Sequence, residues 1–233
     1  MPEITARSPM LHVIGLQRSG TNFINKLIET NINTEVTPTG DRTVCWKHSL
    51  PWEKGAAHSN TKLDAASAIR ARPEVKVILV SKHPFTWWES ISRRSSQDLL
   101  LKRKDCRSPT GGADLYKCCA LYNLYYGSWM QLVDHKQVWH VQYEQSLRDS
   151  DQFIDEIAKK LNLRRKGTLI IPTRVPYTRG FDEKRRSSYI NVQVELSANE
   201  QNAIREFIDA PVLDLLGYDM PKAMVNCNRL NSL

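Results

Sequence analysis

Gly15 and Gly20 bracket Leu16-Gln17-Arg18-Ser19, and Thr21-Asn22 follows directly. G-x-x-x-x-G is the glycine spacing of a P-loop, whose backbone N–H groups face an anion at a helix N-terminus. In nucleotide triphosphatases the next residues are Lys-Ser/Thr: the lysine reaches the β- and γ-phosphates and the hydroxyl holds Mg²⁺. Here Thr21-Asn22 stands in their place, and Arg18 inside the loop brings the missing charge. These residues read as an anion cradle for something other than Mg·ATP. The plainer reading is a strand-to-helix turn with a capping hydroxyl.

Two further places carry chemically capable residues at the expected ends of strands. Lys82-His83-Pro84 closes an apolar run, and Ser90 follows the lysine by eight residues. His83 offers a donor or simply faces solvent. Lys47-His48 closes Thr43–Lys47 and is followed by Ser49-Leu50-Pro51; its plain reading is a solvated strand end.

The elements that position these residues follow from periodicity. Leu11-His12-Val13-Ile14-Gly15 reads as a buried strand, and Phe23, Ile24, Leu27 and Ile28 mark the apolar face of a helix after the loop. A second strand is expected over Thr43–Lys47 and a helix over Lys62–Arg72, stopped by Pro73. Val75–Val80 is a strand, and a helix runs from Pro84, its first-turn proline, towards Arg94. Arg93–Gly112 is polar and basic, part helix and part loop. A long aromatic helix spans about Asp114–Val133, Val138–Tyr143 is a strand, and Asp151–Leu161 is an amphipathic helix. Gly167–Arg186 reads as irregular and basic, and Ser197-Ala198-Asn199-Glu200 opens a helix to about Asp209 with a capping box.

Strands alternating with helices imply an α/β fold: a central parallel sheet, right-handed crossovers and helices on its faces. Ligands of such sheets lie beyond the carboxyl ends of the strands. The loops after Gly15, Lys47, Val80 and Tyr143 are therefore expected to converge on one site.

With 233 residues, 41% hydrophobic and 25% charged, the chain can bury a real core as a single domain over residues 1–233. The core of that domain is expected at about 11–163, with 164–233 an irregular basic segment plus helices packed on it. The formal charge of +8 favours an anionic partner. No zinc-finger, helix-turn-helix or RNP pattern points to nucleic acid. The longest apolar run is Cys118–Tyr122, too short for a membrane span, and no secretory signal is expected. Five cysteines, an odd number without C-x-x-C spacing, argue against a disulfide framework or zinc site and for a reducing, cytoplasmic setting.

Gln17-Arg18-Ser19-Gly20-Thr21-Asn22-Phe23 resembles the 5′-phosphosulfate loop of the sulfotransferases that use 3′-phosphoadenosine 5′-phosphosulfate (PAPS). Lys82-His83-Pro84 with Ser90 is similar to that family's 3′-phosphate motif, an Arg-x-Pro followed by a serine at the same spacing. Val141-Gln142-Tyr143-Glu144-Gln145-Ser146-Leu147 resembles its Arg-Tyr-Glu-Asp-Leu segment. The matches span about 11–163, and Arg179-Gly180 with Lys184-Arg185-Arg186 resembles the family more loosely.

The resemblance implies a metal-independent sulfotransferase that moves a sulfuryl group from PAPS to a hydroxyl or amine and releases 3′-phosphoadenosine 5′-phosphate (PAP). Arg18 and the amides of Ser19, Gly20, Thr21 and Asn22 then hold the 5′ end. Lys82 and Ser90 hold the 3′-phosphate, Phe23 stacks on adenine, Tyr143 contacts the base and Arg179 joins the cofactor site. A lysine where the family often has arginine keeps the charge and loses the planar fork.

The acceptor must lose a proton, which calls for a general base. The family's histidine comes from a Lys-Thr-His-Leu-Pro segment; here Lys47 and His48 are adjacent, so alternation along a strand sets them on opposite faces. His48 is the first candidate, Lys47 the stabiliser of the leaving group, and Asp41, Glu53 and His58 the rivals. The acceptor is a small molecule, saccharide or lipid. Alternatives are a P-loop kinase of small molecules or nucleosides, and an inactive sulfotransferase-like binding protein.

The stretch 93–107 is placed near the acceptor mouth, and Arg164-Arg165-Lys166 on the solvated surface. Tyr122, Tyr125, Tyr126 and Trp129 recur at helical spacing and read as core, as do the thiols of Cys118 and Cys119.

Overall fold

The computed structural model describes residues 9–38, 44–54, 63–92, 106, 113–132, 137–173 and 183–221. The elements in chain order are β1 (Met10–Ile14), α1 (Thr21–Asn31), β2 (Glu35–Val36), α2 (Ala65–Arg70), β3 (Val75–Ser81), α3 (Pro84–Ser92), α4 (Leu115–Leu132), β4 (Val138–Gln142), α5 (Tyr143–Arg148), α6 (Ser150–Leu161), α7 (Glu183–Ile190), α8 (Ala198–Phe207) and α9 (Ala210–Leu216). The strands form one parallel sheet in the order β2-β1-β3-β4. Met10 pairs with Val75 and Ile14 with Leu79, which brings the loops after β1 and β3 side by side. Chain order reverses between these two strands, the place where doubly wound sheets open a binding crevice.

Alternation along the strands feeds two cores. Val77 and Leu79 face the side covered by α3, α4, α8 and α9, while Ile78 and Val80 face α1, α5 and α6. Each buried aliphatic side chain contributes about 1.5–3 kcal/mol. Asn31 fastens the chain beyond α6 to α1: its amide donates to Leu27 O and Ile170 O, and its Oδ1 accepts from Ile170 N–H. The capping box at Ser197 and Glu200 is present, and the same Glu200 accepts from Trp88 Nε1 at 2.9 Å.

Three readings need correction. Residues 44–47 are not a strand; β2 is Glu35–Val36. Val44 and Cys45 pack into the same core, on the side of α4, whereas consecutive strand residues face opposite sides of a sheet. Tyr143 opens α5 instead of closing β4, because the ladder ends where Ser81 pairs with Gln142. Glu183–Arg186 belongs to α7, not to an irregular stretch, and α9 was not foreseen. The stretch 93–107, apart from Cys106, lies outside the described residues. Arg165 bonds Asp151 and Asp155 at 2.6 Å each on the surface. Cys118 and Cys119 are buried free thiols, as expected.

Candidate active site

The loop after β1 bends sharply. Gly15 lies against β3, where a Cβ would stand 2.5 Å from Val80 O. Arg18 adopts a left-handed backbone, φ 71°, which costs a non-glycine residue about 1–2 kcal/mol. Such strain concentrates at functional sites. Gly20 is left-handed as well and opens α1, whose N-terminus has no side-chain cap and no acidic residue in its first turn. The positive end of the helix and its first N–H groups are thus presented to an anion.

The segment after Val44 runs beneath this loop. Gly15 N–H donates to Lys47 O at 2.9 Å. Lys47 Nζ donates to Asn22 Oδ1 in the first turn of α1, and burial pulls its pKa down to about 8. His48 Nδ1 lies 2.5 Å from Gly15 O. A carbonyl only accepts, so Nδ1 carries the proton and Nε2 is the basic nitrogen of the neutral ring. The Trp46 ring meets the imidazole edge-on at 5.3 Å. Because the chain turns here, both Lys47 and His48 reach the loop, and the strand-alternation objection to their adjacency lapses. Glu53 closes the local turn by accepting from Leu50 N–H at 3.0 Å, while Asp41 and His58 lie outside the described residues.

At the end of β3, Lys82 is only 2% exposed. Its Nζ donates to Ser90 Oγ at 2.6 Å, and Ser90 donates onward to Thr86 O at 2.7 Å. The eight-residue spacing works because Pro84 starts α3 at once and two turns carry Ser90 back over Lys82. The ammonium sits 3.7 Å from the Tyr189 ring centroid and 5.5 Å from that of Tyr143. Tyr189 OH is 3.3 Å from Ser90 Oγ. Tyr189 is the residue the sequence reading missed; its only local signal is the helical run Ser187-Ser188-Tyr189 after the basic cluster.

His83 neither faces solvent nor points at the ligand space. It is buried, its Nδ1 accepts from Phe85 N–H and its Nε2 lies 3.2 Å from Asp219 O. Burial lowers its pKa, against smaller opposing pulls from Asp219 and Glu144. Glu144 underpins the turn. It is 4% exposed and accepts from His83 N–H, Thr86 Oγ1 and Tyr218 OH at 2.8–3.2 Å.

Tyr143 links the loop after β1 to the end of β3, with its ring against Gly20 and near Lys82. Phe23 packs edge-on to Tyr143 at 5.8 Å, buried in the α1-side core. Arg179 lies outside the described residues. Arg18, Ser19, Gly20, Thr21, Asn22, Lys47 and His48 therefore share one corner, and Lys82, Ser90, Tyr143 and Tyr189 the next. Gln17 Oε1 and Ser49 Oγ are buried there without a hydrogen-bond partner. The Ser49 hydroxyl can donate to an anionic ligand at this cationic corner, whereas the Gln17 oxygen only accepts and calls for a donor. Among the described residues no cluster of three or more His, Cys, Asp or Glu could hold a metal. No helix among them is long and apolar enough to cross a membrane.

No protein-family model and no curated protein matches the chain. Solved structures do. A sulfotransferase from Alicyclobacillus acidocaldarius aligns over 91% of this chain and 95% of its own, with TM-score 0.58 and 12% identity. Mouse sulfotransferase SULT7A1 complexed with PAP aligns over 94% of this chain and 80% of its own, with TM-score 0.40 and 13% identity. At such identities the first likeness is one of fold. It agrees with the four-stranded parallel sheet and the glycine-bounded loop at its centre. The chain therefore has the sulfotransferase fold.

Proposed function

We propose that this chain is a sulfotransferase that takes PAPS as donor and a hydroxyl or amine of a small molecule, saccharide or lipid as acceptor. The observation that carries the reading is a pair of cationic anion sites joined by one aromatic ring. Gly20 and Lys82 both lie against Tyr143, one at the uncapped start of α1 and the other at the end of β3. A ligand with anions at both ends of a nucleoside matches that pair.

PAPS supplies an activated sulfuryl group, whose bond to the 5′-phosphate breaks as the bond to the acceptor oxygen or nitrogen forms. Arg18 and the N–H groups of Ser19 to Asn22 hold the 5′ end. Lys82 and Ser90 hold the 3′-phosphate by charge-assisted hydrogen bonds, which are stronger than neutral ones. Tyr143 and Tyr189 border the base. His48 takes the acceptor proton at Nε2, its ring oriented by Gly15 O. Lys47, cationic at neutral pH, offsets the charge that gathers on the departing phosphate.

The test is PAP binding by calorimetry, followed by sulfuryl transfer from PAPS to an acceptor panel with and without EDTA. Tight PAP binding with metal-independent transfer supports the reading. ATP consumption that requires Mg²⁺ points to a kinase instead. PAP binding without turnover on any acceptor points to an inactive binding protein.

A further inference from the structure

The aromatic residues of α4 are core by burial, yet their polar tips do not stop in the core. Tyr122, Tyr125 and Tyr126 are fully buried, spaced as one helical face. Tyr122 OH donates to Lys82 O at 2.9 Å, and Tyr125 OH donates to Lys47 O at 3.2 Å. Tyr126 OH donates to Val80 O at 3.0 Å, and Trp129 Nε1 to Ser49 O at 3.0 Å. One helix thus satisfies backbone carbonyls in two segments that are far apart in sequence and carry the two lysines of the site. Tyr122 and Tyr125 also touch a common neighbour, Tyr126, at centroid distances of 4.6 and 5.2 Å.

We infer that Tyr122 and Tyr125 are positioning residues, each holding the backbone of one anion-binding lysine: Tyr122 that of Lys82, Tyr125 that of Lys47. The inference rests on the proposed reading of the two anion sites. The carbonyls of both lysines lie next to their own Cα atoms, so losing the bond loosens the Lys82 backbone and leaves Lys47 O, which also accepts from Gly15 N–H at 2.9 Å, with one partner fewer. Burial keeps both phenols protonated, so each stays a donor over the working pH range. A rigid helix that carries both hydroxyls also sets the spacing between the sites. That matters for a ligand whose two anions are joined by a nucleoside of fixed length.

The test needs no acceptor. Calorimetry with three ligands, PAP, adenosine 3′-monophosphate and adenosine 5′-monophosphate, is run on Tyr122→Phe, Tyr125→Phe and Tyr126→Phe. Tyr122→Phe should weaken PAP and the 3′-phosphate about two- to tenfold and leave the 5′-phosphate unchanged. Tyr125→Phe should do the reverse for the two monophosphates. Tyr126→Phe removes a hydroxyl at the same depth whose carbonyl partner belongs to neither lysine, and should shift all three ligands alike.

Equal losses for all three ligands on Tyr122→Phe and Tyr125→Phe, or no losses, overturn the inference and leave these tyrosines as plain core. Lys82→Ala and Lys47→Ala in the same assay separate the two levels of argument. If Lys82→Ala spares the 3′-phosphate, or Lys47→Ala spares the 5′-phosphate, the site reading itself falls, and the inference with it. If both lysines behave as assigned and the tyrosines do not, only the inference falls. Should a phenylalanine variant fail to fold, hydrogen exchange on the unaltered protein decides. Adenosine 3′-monophosphate should slow exchange of the α4 amides around Tyr122, and no change there overturns the inference.

Discussion

A β-carbon on Gly20 would stand 2.2 Å from Cδ2 of Tyr143, so the loop after β1 and the first residue of α5 meet with no room for a methyl group. Gly20 also has φ 96°, a conformation that side chains resist. Gly20→Ala is expected to lose about 1–2 kcal/mol from the backbone alone, with the clash adding to it. Thermal unfolding should show a lower Tm, and calorimetry a loss of PAP affinity. An alanine variant that keeps both would mean that Tyr143 does not bound the ligand space.

Lys82 and Arg18 serve different ends of the nucleotide in the proposed reading. Lys82→Ala and Arg18→Ala should each weaken PAP by roughly ten- to a hundredfold, the worth of a charge-assisted hydrogen bond. Adenosine 5′-phosphosulfate has no 3′-phosphate, so Lys82→Ala should affect it far less. Equal losses for the two ligands would remove Lys82 from the 3′ site.

His48→Ala should lower kcat by about 10²–10⁴-fold on an unactivated alcohol acceptor while PAP affinity changes little. A nitrophenol, already acidic, needs the base less and should show a smaller drop. Steady-state kinetics on both acceptors checks this. A near-normal kcat on the alcohol would transfer attention to Glu53, Asp41 and His58.

In the proposed reading, Lys47 makes nucleotide affinity depend on pH. Burial lowers its pKa to about 8, so it is mostly cationic at pH 7 and mostly neutral at pH 9. PAP should therefore bind about tenfold more weakly at pH 9 than at pH 7. In the ligand-free protein the sign is opposite. The unfolded chain keeps this proton up to about 10.5, so Lys47 adds stability as pH rises from about 8 towards that value. Lys47→Met should bind PAP more weakly and lose the alkaline decline. An unchanged decline in that variant would assign it to another group.

His140 shapes the acid side. Its Nε2 lies 2.7 Å from Ser81 Oγ, which donates to Tyr218 OH, which donates to Glu144. Burial lowers its pKa from 6.5 to about 4. The unfolded chain binds the proton first, so stability contributed by neutral His140 is full above about 6.5 and lost as pH falls towards 4. On the order of 2–3 kcal/mol is at stake over that window. Urea unfolding should show a steeper acid loss in the parent than in His140→Gln; parallel curves would clear His140 of the effect.

Much of this protein is determined locally and is legible in its residues. The run Leu11–Ile14, the two glycines and the apolar face of α1 lie within one short stretch, so periodicity and turn chemistry suffice to define strand, loop and helix. The Lys82–Ser90 contact is equally local, because Pro84 sets the start of α3 and helical pitch does the rest. Other features were decided only by tertiary packing. β2 is two residues long and exists through pairing with Met10 and Leu11, which no pattern within Glu35–Val36 encodes. Residues 44–47 have strand-forming side chains, but Val44 and Cys45 pack into one core, and bonds from Gly15 and Tyr125 to Lys47 O and from Trp129 to Ser49 O hold the segment as a turn that carries Lys47 and His48 to the loop. Tyr189 meets Ser90 across 99 residues, and Tyr122 meets Lys82 across 40. Such partners are chosen by how helices pack on the two faces of the sheet, and packing is a property of the whole chain and not of any window within it.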